Sequence, residues 1–182
     1  KIYERTVNLY LKPAMELGGN APLIVFEDAD LDVAVEGAML AKMRNLGEAC
    51  TAANRFYIHE EVAKEFTTKF TAAMGALKMG DGTDPSVDVG PLVNADTRDQ
   101  VAAFVDDAVA KGATVELGGK APDGVGFYYS PTVLSNVPQN ADCVSDEIFG
   151  PVAAIQTFTN QDEVIARAND TEYGLVAYVF SE

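Results

Sequence analysis

The chain has 182 residues, of which 48% are hydrophobic and 23% charged, enough for one domain with a sizeable core and too apolar for a disordered segment. A formal net charge of -15 argues against nucleic acid or an anionic membrane as partner, because those surfaces are bound through clustered Lys and Arg. Two cysteines, Cys50 and Cys143, and a single histidine, His59, argue against a disulfide scaffold and against a Cys/His zinc site, so no metal is expected.

In chain order, the first residues read as the inside of a helix, and residues 23–26 as a buried strand. The acidic run that follows, Glu27-Asp28-Ala29-Asp30-Leu31-Asp32, has calcium-loop character. However, Val33 stands where a loop glycine is needed and Met39 falls at the twelfth position from Asp28. Capping by Asp30 or Asp32 of a helix over 31–46, with apolar Val35, Met39 and Met43, is the better reading. A strand at 55–59 and a helix at 61–77 come next, the latter with Val62, Phe66, Phe70 and Met74 in one stripe. After a turn-rich loop at 78–92 the pattern predicts a helix at 97–111, a strand at 114–117, an extended run at 128–134 and a strand at 152–158. It closes with a helix at 161–168 and a strand at 175–180. Strands interleaved with helices of this length predict an α/β fold with a mostly parallel sheet flanked by helices. The last strand running straight into the chain end suggests an excised domain, and residues 1–182 are read as a single one. No apolar run reaches the roughly 18 residues of a membrane span and no signal-peptide pattern opens the chain, so a cytoplasmic protein is expected.

Three segments carry chemistry-bearing residues next to turn-forming ones: Glu16-Leu17-Gly18-Gly19, the stretch RNLGEACTAANR from Arg44 to Arg55, and Glu147-Ile148-Phe149-Gly150-Pro151. Each has a plain alternative. A Glu before Gly-Gly is often a solvated turn residue, a free Cys is commonly buried filler, and a Glu before a Gly-Pro turn usually lies on the surface. His59, at a strand end, reads as structural, and Cys143 as packing or surface.

Together, in order and spacing, with Cys50 34 residues after Glu16, the three segments resemble the catalytic domain of the NAD(P)-dependent aldehyde dehydrogenase superfamily. The resemblance implies oxidation of a small aldehyde to a carboxylic acid. It makes Cys50 the nucleophile, forming a thiohemiacetal and then a thioester, and Glu16 the base that activates water for hydrolysis. It further implies that Glu147 accepts the nicotinamide-ribose hydroxyls, and that Phe149 and Leu17 belong to the cofactor-binding residues. The sequence ELGGNAPLIVFEDADLDVAVEGAM, with an Arg six residues before the cysteine and ANRFYIH after it, is most similar to the succinate-semialdehyde dehydrogenase branch. There Arg44 would bind the substrate's distal carboxylate, for which a planar guanidinium is well shaped. Its alternative is a cation facing a helix C-terminus.

Two positions depart from the family pattern: Glu48 replaces the usual Gln, and Ala52 replaces a second cysteine. An inward Glu48 would disfavour the Cys50 thiolate. Gly47 is expected to end the preceding helix and Cys50 to open a short helical turn whose N–H groups face the developing charge. No Gly-x-Gly-x-x-Gly occurs, so the domain binding NAD or NADP is expected before Lys1. The 182 residues alone are then expected to have little or no activity, and the full-length protein to be a homo-oligomer. A broad-specificity aldehyde dehydrogenase, or a non-catalytic domain retaining the motifs, are the other readings.

Overall fold

In the computed structural model, which describes residues 2–182, the strands are β1 (Ala21–Val25), β2 (Ala53–His59), β3 (Thr114–Leu117), β4 (Thr132–Ser135), β5 (Val152–Phe158) and β6 (Tyr178–Phe180). The helices are α1 (Ile2–Asn8), α2 (Leu31–Met43), α3 (Glu60–Gly75), α4 (Ala95–Ala110), α5 (Asp142–Ser145) and α6 (Gln161–Asn169). All six strands join one sheet in the order β3-β4-β5-β2-β1-β6. Every neighbouring pair is parallel except β3 with β4.

Strands β1 and β2 are buried along their whole length because helices cover both faces of the sheet, as their apolar content requires. On one face α2 and α3 pack Ala34, Ala38, Phe66, Phe70 and Met74 onto Leu23, Val25, Phe56 and Ile58. The other face receives α4 and α5, through Val101, Phe104 and Cys143, against Leu134, Val152 and Ala154. On that side Val164 of α6 also meets Ile24, Tyr57 and Phe158.

Helix starts follow local chemistry. Asp30 Oδ1 accepts the N–H groups of Asp32 and Val33, Asn94 caps α4 through Thr97, and Asn160 caps α6 through Glu163. His59 ends β2 and caps α3, its Nδ1 accepting from Glu61 N while Nε2 lies 3.2 Å from Thr159 O and its ring meets Phe158 edge-on. The residue is structural, at the far end of β2 from Cys50.

The structure corrects three expectations about elements. The centre of the buried face of α2 is Ala34, Ala38 and Lys42, one residue ahead of Val35, Met39 and Met43, because small side chains let the helix lie close to the sheet. That helix also stops at Met43, and residues Arg44–Gly47 form a kinked 3-10 turn in which Asn45 and Leu46 adopt left-handed backbone (φ 52° and 60°). Strand β6 pairs with β1 only over Leu23–Val25, because residues 171–177 leave the sheet to line a cleft. Among the described residues no helix is long and apolar enough to cross a membrane, and no group of three or more His, Cys, Asp or Glu side chains could hold a metal ion.

Strands β5, β2, β1 and β6 are neighbours running the same way. The segments that precede them, 147–151, 44–52, 16–20 and 171–177, therefore meet along one edge of the sheet.

Candidate active site

All three sequence motifs lie on that edge, so topology alone brings Glu16, Cys50 and Glu147 together from positions far apart in the chain. Contact between them is made by backbone rather than by the reactive groups. The Gly19 N–H donates to Glu147 Oε1 at 3.0 Å. A Cβ on Gly18 would strike Glu147 Oε2, and one on Gly19 would strike the carbonyl oxygen of Cys50. Gly19 is thus a packing requirement, since a side chain there would push its segment away from the Cys50 turn, while a side chain at Gly18 would displace the Glu147 carboxylate.

Cys50 is half-buried on a turn closed by Ala52 N donating to Ala49 O at 2.9 Å. The expected helical turn at Cys50 is not formed, since the chain goes almost directly into β2. Its amide N–H meets no acceptor among the described residues, which leaves that donor available to an oxyanion at the thiol. Asn45 Nδ2 donates to Glu48 O at 2.7 Å, and Tyr178 Oη of β6 donates to Thr51 O at 2.8 Å, so the turn is tethered on both sides.

Glu48 does not threaten the thiolate. Its Oε1 accepts the Val93 N–H at 3.1 Å and pins the end of the long 78–92 loop instead. Cys143 is the opposite of reactive: it is fully buried, and burial with Asp107 nearby pushes its thiol up to about 12.

Cys50 and Glu16 line the same cleft, of about 630 Å³, with Leu17, Gly18, Tyr173 and Leu175. Glu16 is exposed and Leu17 is 70% exposed, so carboxylate and apolar groups share the rim, whereas Phe149, 36% exposed, lies outside the residues lining this cleft. Phe149 is held outward by a left-handed backbone (φ 53°), a conformation strained for an aromatic residue. Arg44 lies elsewhere, exposed, in a second cavity of about 300 Å³ that it lines with Ala49 and Thr51, the two neighbours of Cys50. The nucleophile candidate thus stands between a carboxylate-bearing cleft and a guanidinium-bearing one. Arg44 has no side-chain partner among the described residues. Arg55, by contrast, is buried and spends its donors on the carbonyls of Asn20, Arg167 and Ala168, so it is an internal tie.

Sequence reasoning missed Tyr173 and Leu175 in the cleft wall, and above all Lys42. This lysine is fully buried, with Nζ 2.9 Å from Asn54 Oδ1. The signal was present, as Lys42 continues the Ala34, Ala38 register by one more step of four, a charge on a buried stripe.

Burial lowers the Lys42 amine to about 7 from 10.5. Between those two values the unfolded chain holds a proton that the folded chain does not, so stability rises with pH across that window, and the burial cost is fully present below it. Urea unfolding at pH 7 and pH 9 should show this rise in the native protein and a smaller one in Lys42→Met. Equal slopes would contradict the burial of a charge here.

Similarity to known proteins extends over the whole chain. The family described as the aldehyde dehydrogenase family matches residues 1–182. A succinate-semialdehyde dehydrogenase of Paenarthrobacter nicotinovorans is 61% identical over 171 residues, covering 94% of this chain and 38% of the relative. A glutarate-semialdehyde dehydrogenase of Pseudomonas aeruginosa is 47% identical, covering 93% and 35% respectively. The crystal structure of an E. coli NADP-dependent enzyme superposes with a TM-score of 0.96 at 45% identity, over 100% of this chain and 38% of that one. The chain therefore spans little more than a third of the length of the relatives it matches.

Proposed function

Because this chain belongs to the aldehyde dehydrogenase family, we propose that it is the catalytic domain of a full-length protein that oxidises an ω-carboxylated semialdehyde, succinate semialdehyde first, to the acid. The observation that carries the proposal is Cys50, half-buried with an uncommitted amide N–H, sharing a cleft with the exposed carboxylate of Glu16.

The chemistry follows from those groups. The Cys50 thiolate attacks the aldehyde carbon, the C–S bond forms and the carbonyl π pair moves to oxygen, where the Cys50 N–H stabilises it. Loss of hydride from that carbon re-forms the carbonyl and leaves a thioester on Cys50. Glu16 then takes a proton from water as the water adds, the C–S bond breaks, and the acid leaves with the thiolate regenerated. No CoA thiol is needed when a base stands beside the ester.

A nicotinamide dinucleotide, NAD or NADP, supplies the hydride acceptor when bound. The residues present suit it: Glu147 is a carboxylate anchored through Gly19 N, with lone pairs left for a ribose diol, and Phe149 and Leu17 offer exposed apolar faces for a ring. The remaining dinucleotide contacts would come from the part of the protein outside these 182 residues.

Arg44 selects the carboxylated substrate. In the full-length protein, Arg44→Ala should raise KM for succinate semialdehyde by about 10- to 100-fold, the loss of one charge-assisted pair, and leave an uncharged aldehyde of similar length unaffected. Steady-state kinetics on both aldehydes checks this. Equal effects on the two, or none on either, would favour a broad-specificity enzyme.

A further inference from the structure

The turn that carries Cys50 is built from strained backbone. Asn45, Leu46 and Gly47 follow one another with positive φ (52°, 60° and 77°), a run that persists only when its surroundings hold it. Gly47 is pressed by the Gly150 carbonyl, so closely that a Cβ there would overlap it. The same Cβ would lie 3.1 Å from Lys42 Cε, so the carbonyl and the lysine stem crowd one face of this glycine. Lys42 therefore fills the angle between the end of α2, the strained turn and the 147–151 loop, and its ammonium reaches over to Asn54 at the start of β2.

We infer that Lys42 is a positioning residue, holding the Cys50 turn and the Glu147 loop in one register for dinucleotide binding and hydride loss; this rests on the function proposed above.

The charge matters as well as the stem. The titratable groups facing Lys42 are Cys143 from α5, a neutral thiol near pH 7, and Glu147 from the adjoining loop, whose carboxylate favours the protonated amine. From β2 the facing group is the neutral Asn54 amide, and α3 contributes apolar Phe66, Phe70 and Met74 to the core that α2 shares. Glu147 is held by the Gly19 N–H, and the charge of a protonated Lys42 acts on it through space, favouring the carboxylate that a ribose diol needs. Deprotonation, with the amine near 7, removes that charge close to neutrality.

The test uses the full-length protein and two variants, Lys42→Met, which keeps an unbranched stem without the ammonium, and Asn54→Asp, which gives the ammonium an anionic partner. Dissociation constants for NAD+ and NADP+ are measured by calorimetry from pH 6 to pH 9 without aldehyde, alongside thermal unfolding. The native protein should lose affinity for its preferred dinucleotide as pH rises through the region of 7, and Asn54→Asp should move that loss to higher pH. Lys42→Met should bind at least about 10-fold more weakly at pH 6 with no such step, the equivalent of one charge-assisted hydrogen bond. A flat native profile, or an Asn54→Asp profile that coincides with the native one, overturns the inference while leaving the proposed function standing. So does a Lys42→Met variant with native affinity and profile. If Lys42→Met does not fold, the native and Asn54→Asp profiles decide alone. A full-length protein that binds neither dinucleotide overturns the proposed function and this inference with it.

Discussion

Cys50→Ala in the full-length protein should lower aldehyde-dependent dinucleotide reduction by more than about 10⁴-fold, because the covalent route disappears with the thiol. Steady-state absorbance of the reduced cofactor checks it. No second nucleophile is placed to take over: Cys143, the remaining thiol, is fully buried and pushed up to about 12, and it packs in the core between α4, α5 and the sheet. The same contrast should be visible without turnover, since an electrophile near neutral pH should label Cys50 and spare Cys143. Cys50→Ala should also stay folded. The residue is half-buried on a turn held by the Ala52 N–H, Asn45 and Tyr178, none of which touches the sulfur. Loss of activity with an unchanged thermal midpoint is thus the expected pair of results.

Glu16→Gln has the second largest expected effect and a different signature. The substitution keeps size and hydrogen bonding but removes the base, so thiol attack and hydride loss continue while hydrolysis of the thioester stalls. Stopped-flow measurement should show one rapid equivalent of reduced cofactor per site followed by turnover slowed by about 10²- to 10⁴-fold, the usual worth of a general base. A uniform fall in burst and turnover would instead assign Glu16 to the earlier steps. Structural damage is not expected, because Glu16 is exposed and its side chain makes no hydrogen bond or ion pair among the described residues.

The meeting of the candidate site's segments was legible in the sequence because each is a short stretch that precedes a strand. Glu16, Cys50 and Glu147 are recognisable within their motifs, and strands alternating with helices predict the parallel sheet that gathers those motifs. This edge holds the segments leading into the strands, the opposite end from where ligands usually bind in open α/β sheets, so a rule based on fold alone would have searched the wrong side. What was hidden depended on geometry that no local pattern encodes. The run at Asn45 and Leu46 puts a leucine in left-handed backbone, and it leads into Gly47, one face of which is crowded by the Gly150 carbonyl and the Lys42 stem. Glu48, a threat to the thiolate on paper, is drawn away by the Val93 N–H from a loop 45 residues on. The segment before β6 has strand composition, yet tertiary demand turns Tyr173 and Leu175 into the cleft wall.

Glycine spacing reveals how the three motifs depend on one another. Gly18 yields to Glu147, Gly19 to the Cys50 carbonyl and Gly47 to the Gly150 carbonyl, so the first two motifs carry the room their neighbours need. The motifs are consequently one unit: the Cys50 turn, the Glu16 segment and the Glu147 loop fit together as a set.

The most direct measurement is mass spectrometry of full-length Glu16→Gln mixed with succinate semialdehyde and the preferred dinucleotide, quenched in acid after the burst. A succinyl thioester on the peptide containing Cys50, absent from the Cys143 peptide and absent when the dinucleotide is left out, is the predicted result. A burst of reduced cofactor with no acyl group on Cys50 would contradict the account.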